Sequence, residues 1–438
     1  MPDSSLSPAR PSFGQALRAW AYVGLNSFGG PAGQIAVMHR ELVERRGWLD
    51  ERRFLHALSY CMLLPGPEAQ QLATYVGWLL HGVRGGLAAG ILFILPGVAV
   101  LLGLSILYAS FQETALVQAL FYGIKPAVVA LVVLAVTRLG RRALVDRWAV
   151  AIAATAFGAI FFLDLPFPLI VLGAALFGFV RHRRAAVVDG DVSDKPMRPA
   201  ARRALVVALI TLAAWLAPTA VLLLTLGPAS IFTQLALFFS ATALVTFGGA
   251  YAVLAFVAQQ AVEGYGWLSP AQMLDGLGMA ESTPGPLIMV VQFVGFMAAF
   301  GSSSGLDPLV AGVVGGLLVT WVTFAPSFAW IFLGAPYVEQ LRGRPALAGA
   351  LSAITAAVTG VILNLAVWFA LQVLFGVTGE VRMGPIRLHS VELASVDLFA
   401  VGLALFALLA LARRRWPLLP VLALSAAVGA GYYLLVGP

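Results

Sequence analysis

Four apolar segments of this chain are each interrupted near their centres by glycine and proline: SFGGP within Phe13 to Glu44, LPGPE within Phe54 to Leu80, TFGGA within Ile231 to Val262, and TPGP within Met273 to Phe300. A helix cannot run undisturbed through such sequence, because proline lacks the N–H and glycine surrenders helix propensity. Uninterrupted apolar runs surround them, at Gly86 to Ala109, Ala115 to Thr137, Ala204 to Leu226, Pro308 to Leu333 and Leu347 to Phe375. Each is near or above the roughly 20 residues that a bilayer core requires. Shorter pairs, Trp148 to Leu163 with Pro166 to Val180 and Asp397 to Ala412 with Leu418 to Val436, read as helical hairpins, giving nine expected spanning helices. With 60% of residues hydrophobic and 11% charged, against about 25% charged in an ordinary soluble domain, a water-soluble enzyme is excluded. Lipid is the expected solvent, and the fold class is an all-α polytopic membrane protein.

The broken segments occur as two copies. Phe28-Gly29-Gly30 matches Phe247-Gly248-Gly249, Gly47-Trp48-Leu49 matches Gly266-Trp267-Leu268, and Pro65-Gly66-Pro67 matches Pro284-Gly285-Pro286, always at a shift of 219, with 15 identities in the 43 columns from Leu25 to Pro67. Downstream the shift grows to 230, pairing Leu95-Pro96 with Ala325-Pro326. The chain is therefore expected to comprise a first repeat (1–180), a polar linker (181–203), a connecting helix (204–226) and a second repeat (227–438).

Charge orients the copies. Arg40, Arg45, Arg46, Arg52 and Arg53 between the broken segments of copy one become Gln259, Gly264, Tyr265, Ala271 and Gln272 in copy two. Short Arg-rich loops stay cytoplasmic, so the two loops are expected on opposite faces, and the repeats inverted. Gly and Pro at such breaks either kink a spanning helix or close a re-entrant hairpin. The arm lengths favour the hairpin: Phe13 to Asn26 gives about 21 Å of helix against a core of about 30 Å. Counting crossings this way keeps the N-terminus, Arg84, Arg138 to Arg147, the linker, Arg342, Arg344 and Arg413 to Arg415 inside. Gln112, Asp164, the Gly266 loop and the segment Val377 to Ser395 fall outside, and only Arg382 and Arg387 are on the wrong side.

Irregular backbone at membrane depth is tolerated only where protein buries it or a cavity receives it. Four such breaks mark an interior site, at which helix N-termini opened by Pro31 and Pro67 offer free N–H groups and positive dipole ends to an anion. Ser27, Thr246, Ser282 and Thr283 are expected to add hydroxyl donors. Lys125, inside an apolar run, anchors an anion, titrates, or meets a carboxylate structurally. Glu68 and Glu281 flank breaks and read either as favourable helix-end charges or as proton-coupling groups. Asn26, Gln70, Gln71 and Gln292 are accounted for by hydrogen bonding between helices.

Neither a metal nor a cofactor is expected, since the sequence has no HExxH, Walker A, CxxC or EF-hand pattern. Cys61 is the single cysteine, so no internal disulfide forms. The opening MPDSSLSPARPSF has no apolar core of a signal peptide. GSSSG at Gly301 to Gly305 is a turn without the strand context of a hydrolase, and no motif accompanies the basic charge toward nucleic acid.

NSFGGPAGQIA, RGWLDERRF, LLPGPEAQQLATYVGW, TFGGAYAVL and TPGPL together resemble the chromate ion transporter family in its long, two-domain form, over essentially residues 13 to 437. The resemblance implies export of chromate across the bacterial inner membrane, with sulfate as the isosteric alternative and an anion channel as another. It implies functional roles for Asn26, Ser27, Gly29, Gly30, Pro31, Pro65, Gly66, Pro67 and Glu68, and for Gly248, Gly249, Pro284, Gly285 and Pro286. Copy two departs at Ala250 and Leu287, where copy one has Pro31 and Glu68. The partners expected are a small oxyanion, the bilayer and a second copy of the chain.

Overall fold

A computed structural model describes residues 11–28, 30–62, 64–183, 201–246, 250–334 and 345–437. Helices account for most of them. The first broken segment forms α1 (Phe13–Asn26) and α2 (Gly30–His39), and the second α3 (Glu51–Cys61) and α4 (Glu68–Phe111). Then follow α5 (Ala115–Ala143), α6 (Arg147–Leu163), α7 (Phe167–His182) and α8 (Ala201–Leu226). The third and fourth broken segments form α9 (Ile231–Leu244), α10 (Ala250–Gln259), α11 (Pro270–Ser282) and α12 (Val290–Phe300). The chain ends with α13 (Pro308–Gly334), α14 (Pro345–Leu374), β1 (Thr378–Met383), β2 (Ile386–Val391), α15 (Leu398–Ala412) and α16 (Leu418–Val436).

All four glycine-proline interruptions therefore end one helix and begin another. Six helices among the described residues are long and apolar enough to cross a membrane, and the chain is a multi-pass membrane protein. Nine were expected; α6, α7 and α15, at 17, 16 and 15 residues, fall short of that length. The expected division between Leu80 and Gly86 appears inside α4, where His81 and Gly82 leave helical geometry. The expected all-α fold needs one correction. Residues 378–391, read from sequence as a loop, form an antiparallel hairpin turning at Gly384, which takes φ +62°. Alternating Val381, Met383, Ile386 and Leu388 supply the β pattern there, too short to register against the apolar runs on either side.

The duplication is visible in local geometry. Both copies leave α-helix for a π-helical turn at matched places, Arg40–Arg45 and Gln260–Gly264. Trp48 and Trp267 then return their N–H groups to the carbonyls of Leu42 and Ala261, at 2.9 and 2.7 Å. Gly47 and Gly266 adopt φ of +60° and +62°.

Two compact units emerge, and each draws on both sequence copies. The first comprises residues 1–103, 191–249 and 283–342; the second comprises 104–190, 250–282 and 343–438. In the first unit Trp20, Phe54, Tyr60 and Phe93 pack with Phe332. There α8 and α13 are clasped by Trp215 Nε1 donating to the Val322 carbonyl and Trp321 Nε1 donating to that of Ala214, at 2.9 and 3.0 Å. In the second unit small residues bring helices close: a Cβ on Gly429 would lie 2.2 Å from Gly123 Cα.

The second unit also explains the two arginines that crossing parity misplaced. Arg387 Nη1 lies 2.8 Å from Glu263, 3.6 Å from Asp164 and 3.7 Å from Glu380, and Arg382 lies 3.6 Å from Asp164. The side chain of Arg387 is 5% exposed, and its neighbours hold its pKa above the ordinary arginine value, Glu263 foremost, against the opposing effect of burial. Removing it leaves Glu263 without its cation and takes one from Asp164 and Glu380, so Arg387→Ala is expected to destabilise the protein by about 3 kcal/mol, read as a fall in the melting temperature in detergent. Arg382→Ala, at a side chain that is 66% exposed, should change it little.

Candidate functional site

The breaks of the first unit meet in pairs. Gly66 N–H donates to the Thr246 carbonyl at 2.8 Å, and Gly285 N–H donates to the Ser27 carbonyl at 2.8 Å. Adding 219 to Ser27 gives Thr246 and adding it to Gly66 gives Gly285, so the two bonds exchange places under the duplication. Each PGP break thus hydrogen-bonds the FGG break of the other copy. Gln34 adds a third tie, its Nε2 donating to the Gly285 carbonyl at 2.6 Å.

The same exchange governs the close packing. A Cβ on Gly66 would meet Gln71 Nε2 and Ser327 Oγ at 2.7 and 2.8 Å, whereas one on Gly285 would meet Gly97 Cα at 3.2 Å. Ser327 and Gly97 are partners at the shift of 230. Both glycines hold positive φ, +123° and +101°, a region that side chains rarely adopt. Conformation calls for glycine at both positions, and the close neighbours leave little room for a side chain.

Ser27, Gly30, Gly66, Thr246, Thr283, Gly285 and Pro286 are buried, and Pro31, Pro65, Pro67, Glu68 and Pro284 are partly so. Gly29, Gly248 and Gly249 lie outside the described residues. Asn26 is exposed, its Nδ2 bonded to the Tyr22 carbonyl at 2.8 Å. The hydroxyls at the breaks are engaged within their own helices. Ser27 donates to the Val23 carbonyl, Thr246 to that of Thr242 and Ser282 to that of Met279, at 2.6, 2.7 and 2.9 Å. Each sits where its helix ends, and the nearest orphan acceptors are the last-turn carbonyls of that same helix.

Lys125 and Glu281 belong to the second unit. Lys125 Nζ is 3.4 Å from Asp275 Oδ1, while Tyr108 donates to Asp275 Oδ2 at 2.8 Å. Glu281 is buried and accepts from the Tyr251 hydroxyl at 2.6 Å. Asp275 was not singled out from sequence, although an acid in MLDGLGM within an apolar segment was the available signal, and copy two was where a carboxylate for Lys125 had to be sought.

Comparison with known proteins bears on the same residues. A family model described as "Chromate transporter" matches residues 14–179 and 233–430. The chain belongs to the chromate transporter family. Among curated relatives of this family member, a chromate transport protein of Pseudomonas aeruginosa is 34% identical over 81% of this chain and 80% of its own length. A probable chromate transport protein of Synechococcus elongatus is 28% identical over 85% and 89%. A chromate transport protein of Cupriavidus metallidurans is 26% identical over 78% of each. No solved structure matches the chain.

For this family member, Gly66→Ala is expected to cost about 1–3 kcal/mol in backbone strain and to move Gln71 and Ser327. Gly158→Ala, where an added Cβ meets nothing within 4 Å, serves as the control and should leave the melting temperature unchanged or slightly raised.

Proposed function

We propose that this chain is a secondary active transporter that exports chromate across the inner membrane through a site built at its four helix breaks. The pair of reciprocal bonds, Gly66 to Thr246 and Gly285 to Ser27, carries this reading. It supports inverted repeats with re-entrant hairpins, because a two-fold relation between the copies turns each bond into the other. Irregular backbone drawn from both copies into a buried place is where an anion can exchange its hydration shell for amide N–H groups. The relatives described as chromate transport proteins make chromate the substrate to test first.

Topology follows the same reading. Asp164, the Gly266 loop and residues 377–395 all fall outside by crossing parity, and Arg387 joins Asp164, Glu263 and Glu380. Gln272 Nε2, at the start of α11, likewise bonds Gln112 Oε1 at 3.2 Å, and both belong to segments that crossing parity puts on that face. The N-terminus and central linker are then cytoplasmic. With Cys61 replaced, cysteines introduced at Gly47 and Gly266 should react with an impermeant reagent from opposite sides of the membrane. Labelling from the same side would dismiss the inversion.

Alternating access exposes the breaks first to one side and then to the other, with protons as the coupling ion. Lys125, Glu68 and Glu281 are the candidate coupling groups, Lys125 acting with Asp275. Inside-out vesicles from cells making the chain should accumulate radiolabelled chromate when energised, and right-side-out vesicles should not.

Lys125→Met alone leaves Asp275 a buried, unpaired charge and is expected to cost about 3–5 kcal/mol. The double variant Lys125→Met with Asp275→Asn removes both charges and should restore folding. If the pair couples transport, that folded double variant loses proton-driven accumulation, whereas a merely structural pair leaves accumulation at the wild-type level.

A further inference from the structure

The two PGP breaks are alike in backbone but unlike in lining. Beside Pro65-Gly66-Pro67 stand Glu68, Gln70 and Gln71 at the start of α4, and Ser327 from α13. Their counterparts beside Pro284-Gly285-Pro286 are Leu287, Met289, Val290 and, from copy one, Gly97, none with a polar side chain. At these four positions polarity is confined to one of the two related places, although Gln34, Ser282 and Thr283 stand beside the other.

Gln71 is fully buried. Its Nε2 donates to the Pro65 carbonyl at 2.7 Å, which fixes the amide's orientation, because the flipped form would set two oxygens against each other. The other end, Oε1, is buried and has no hydrogen-bond partner among the described residues. It can only accept. Ser327 Oγ is also fully buried and unpartnered, and it borders the same Gly66 position that Gln71 borders. Gln70, fully buried as well, has neither amide atom satisfied among the described residues. The first internal bond of α4 runs from Gln71 N–H to the Pro67 carbonyl at 3.0 Å, leaving the preceding amides of Glu68, Ala69 and Gln70 as donors at the helix start.

Donors suit any tetrahedral oxyanion, but Gln71 Oε1 does not suit all of them. A fully deprotonated oxyanion presents only lone pairs, and an acceptor held against it is left unpaired and repelled. A singly protonated one brings the missing O–H. Hydrogen chromate is a weak acid that keeps its proton in part near neutral pH; hydrogen sulfate is a strong acid and has lost it. We propose that Gln71 Oε1 accepts a hydrogen bond from the O–H of a singly protonated tetrahedral oxyanion whose other oxygens take donors from Ser327 and the start of α4. The site then separates chromate from sulfate by protonation, although the two share size and shape. This inference rests on the transport reading above and names the substrate form that reading left open.

Titratable groups on the surrounding segments could also make binding depend on pH: Glu68, Tyr75, His81, Arg84 and Tyr108 on α4, Glu51, Arg52, Arg53, His56, Tyr60 and Cys61 on α3, and Arg18, Tyr22 and His39 on α1 and α2. From Pro308 to Gly334, α13 carries none, and neither does α9. Histidine ordinarily titrates within the tested range, so His39→Gln is the control.

The test is equilibrium binding of radiolabelled chromate to the full chain in detergent, with no gradient, from mildly acidic to alkaline pH, and with sulfate as competitor. On the alkaline side, affinity for total chromate should fall about tenfold per pH unit, following the fraction that remains protonated. Sulfate should compete roughly ten- to a hundredfold less well. Gln71→Met should flatten the pH slope and bring the two anions together, His39→Gln should keep the slope, and Ser327→Ala should weaken binding while keeping it. Chromate binding without a pH slope, or sulfate competing equally, overturns the inference even if Gln71→Met fails to fold. A folded Gln71→Met that keeps the wild-type slope and selectivity overturns it too. Should the folded wild-type chain neither bind nor transport chromate at any pH, the transport reading itself fails.

Discussion

Backbone amides inside a membrane protein must find partners, and this constraint organises the chain. At each break a helix stops and leaves N–H and C=O groups that cost several kcal/mol apiece if hydrocarbon surrounds them. The chain answers by pairing breaks across the duplication, Gly66 to Thr246 and Gly285 to Ser27. The central glycine amide of each PGP break bonds the other copy. Compact units that draw on both copies are what such a dependence produces, and the glycines at Gly66 and Gly285 are held in place by it, since only they fit both the φ and the space.

Much of the architecture was legible in sequence because lipid imposes a coarse code. Apolar runs gave α5 to α8 and α13 to α16 to within about six residues. The breaks were legible because proline and glycine act locally, whatever the tertiary context. The β hairpin at 378–391 was not legible: six-residue strands carry little periodicity, and two arginines inside them read as loop. Arg387 makes sense only once Asp164 and Glu263, far away in sequence, stand beside it.

The candidate site was legible in outline and not in its chemistry. Sequence pointed to the breaks and to Ser27 and Thr246 as donors, and in the structure their hydroxyls bond carbonyls four residues back. Gln71 was given the ordinary role of bonding between helices, and Ser327 drew no notice. Their significance depends on a meeting around Gly66 that no spacing encodes, although comparison of the copies, Val290 for Gln71 and Gly97 for Ser327, held the asymmetry all along. Lys125 was conspicuous as a charge in apolar sequence, and Asp275 followed only from contact.

The matched π-helical turns give the two copies a common local signature. A turn closed by bonds five residues apart contains one residue more than the regular spiral. One stands in each copy, at Arg40–Arg45 and Gln260–Gly264, followed by the same return of a tryptophan amide. The wide turn is shared while the arginines and glutamines around it differ.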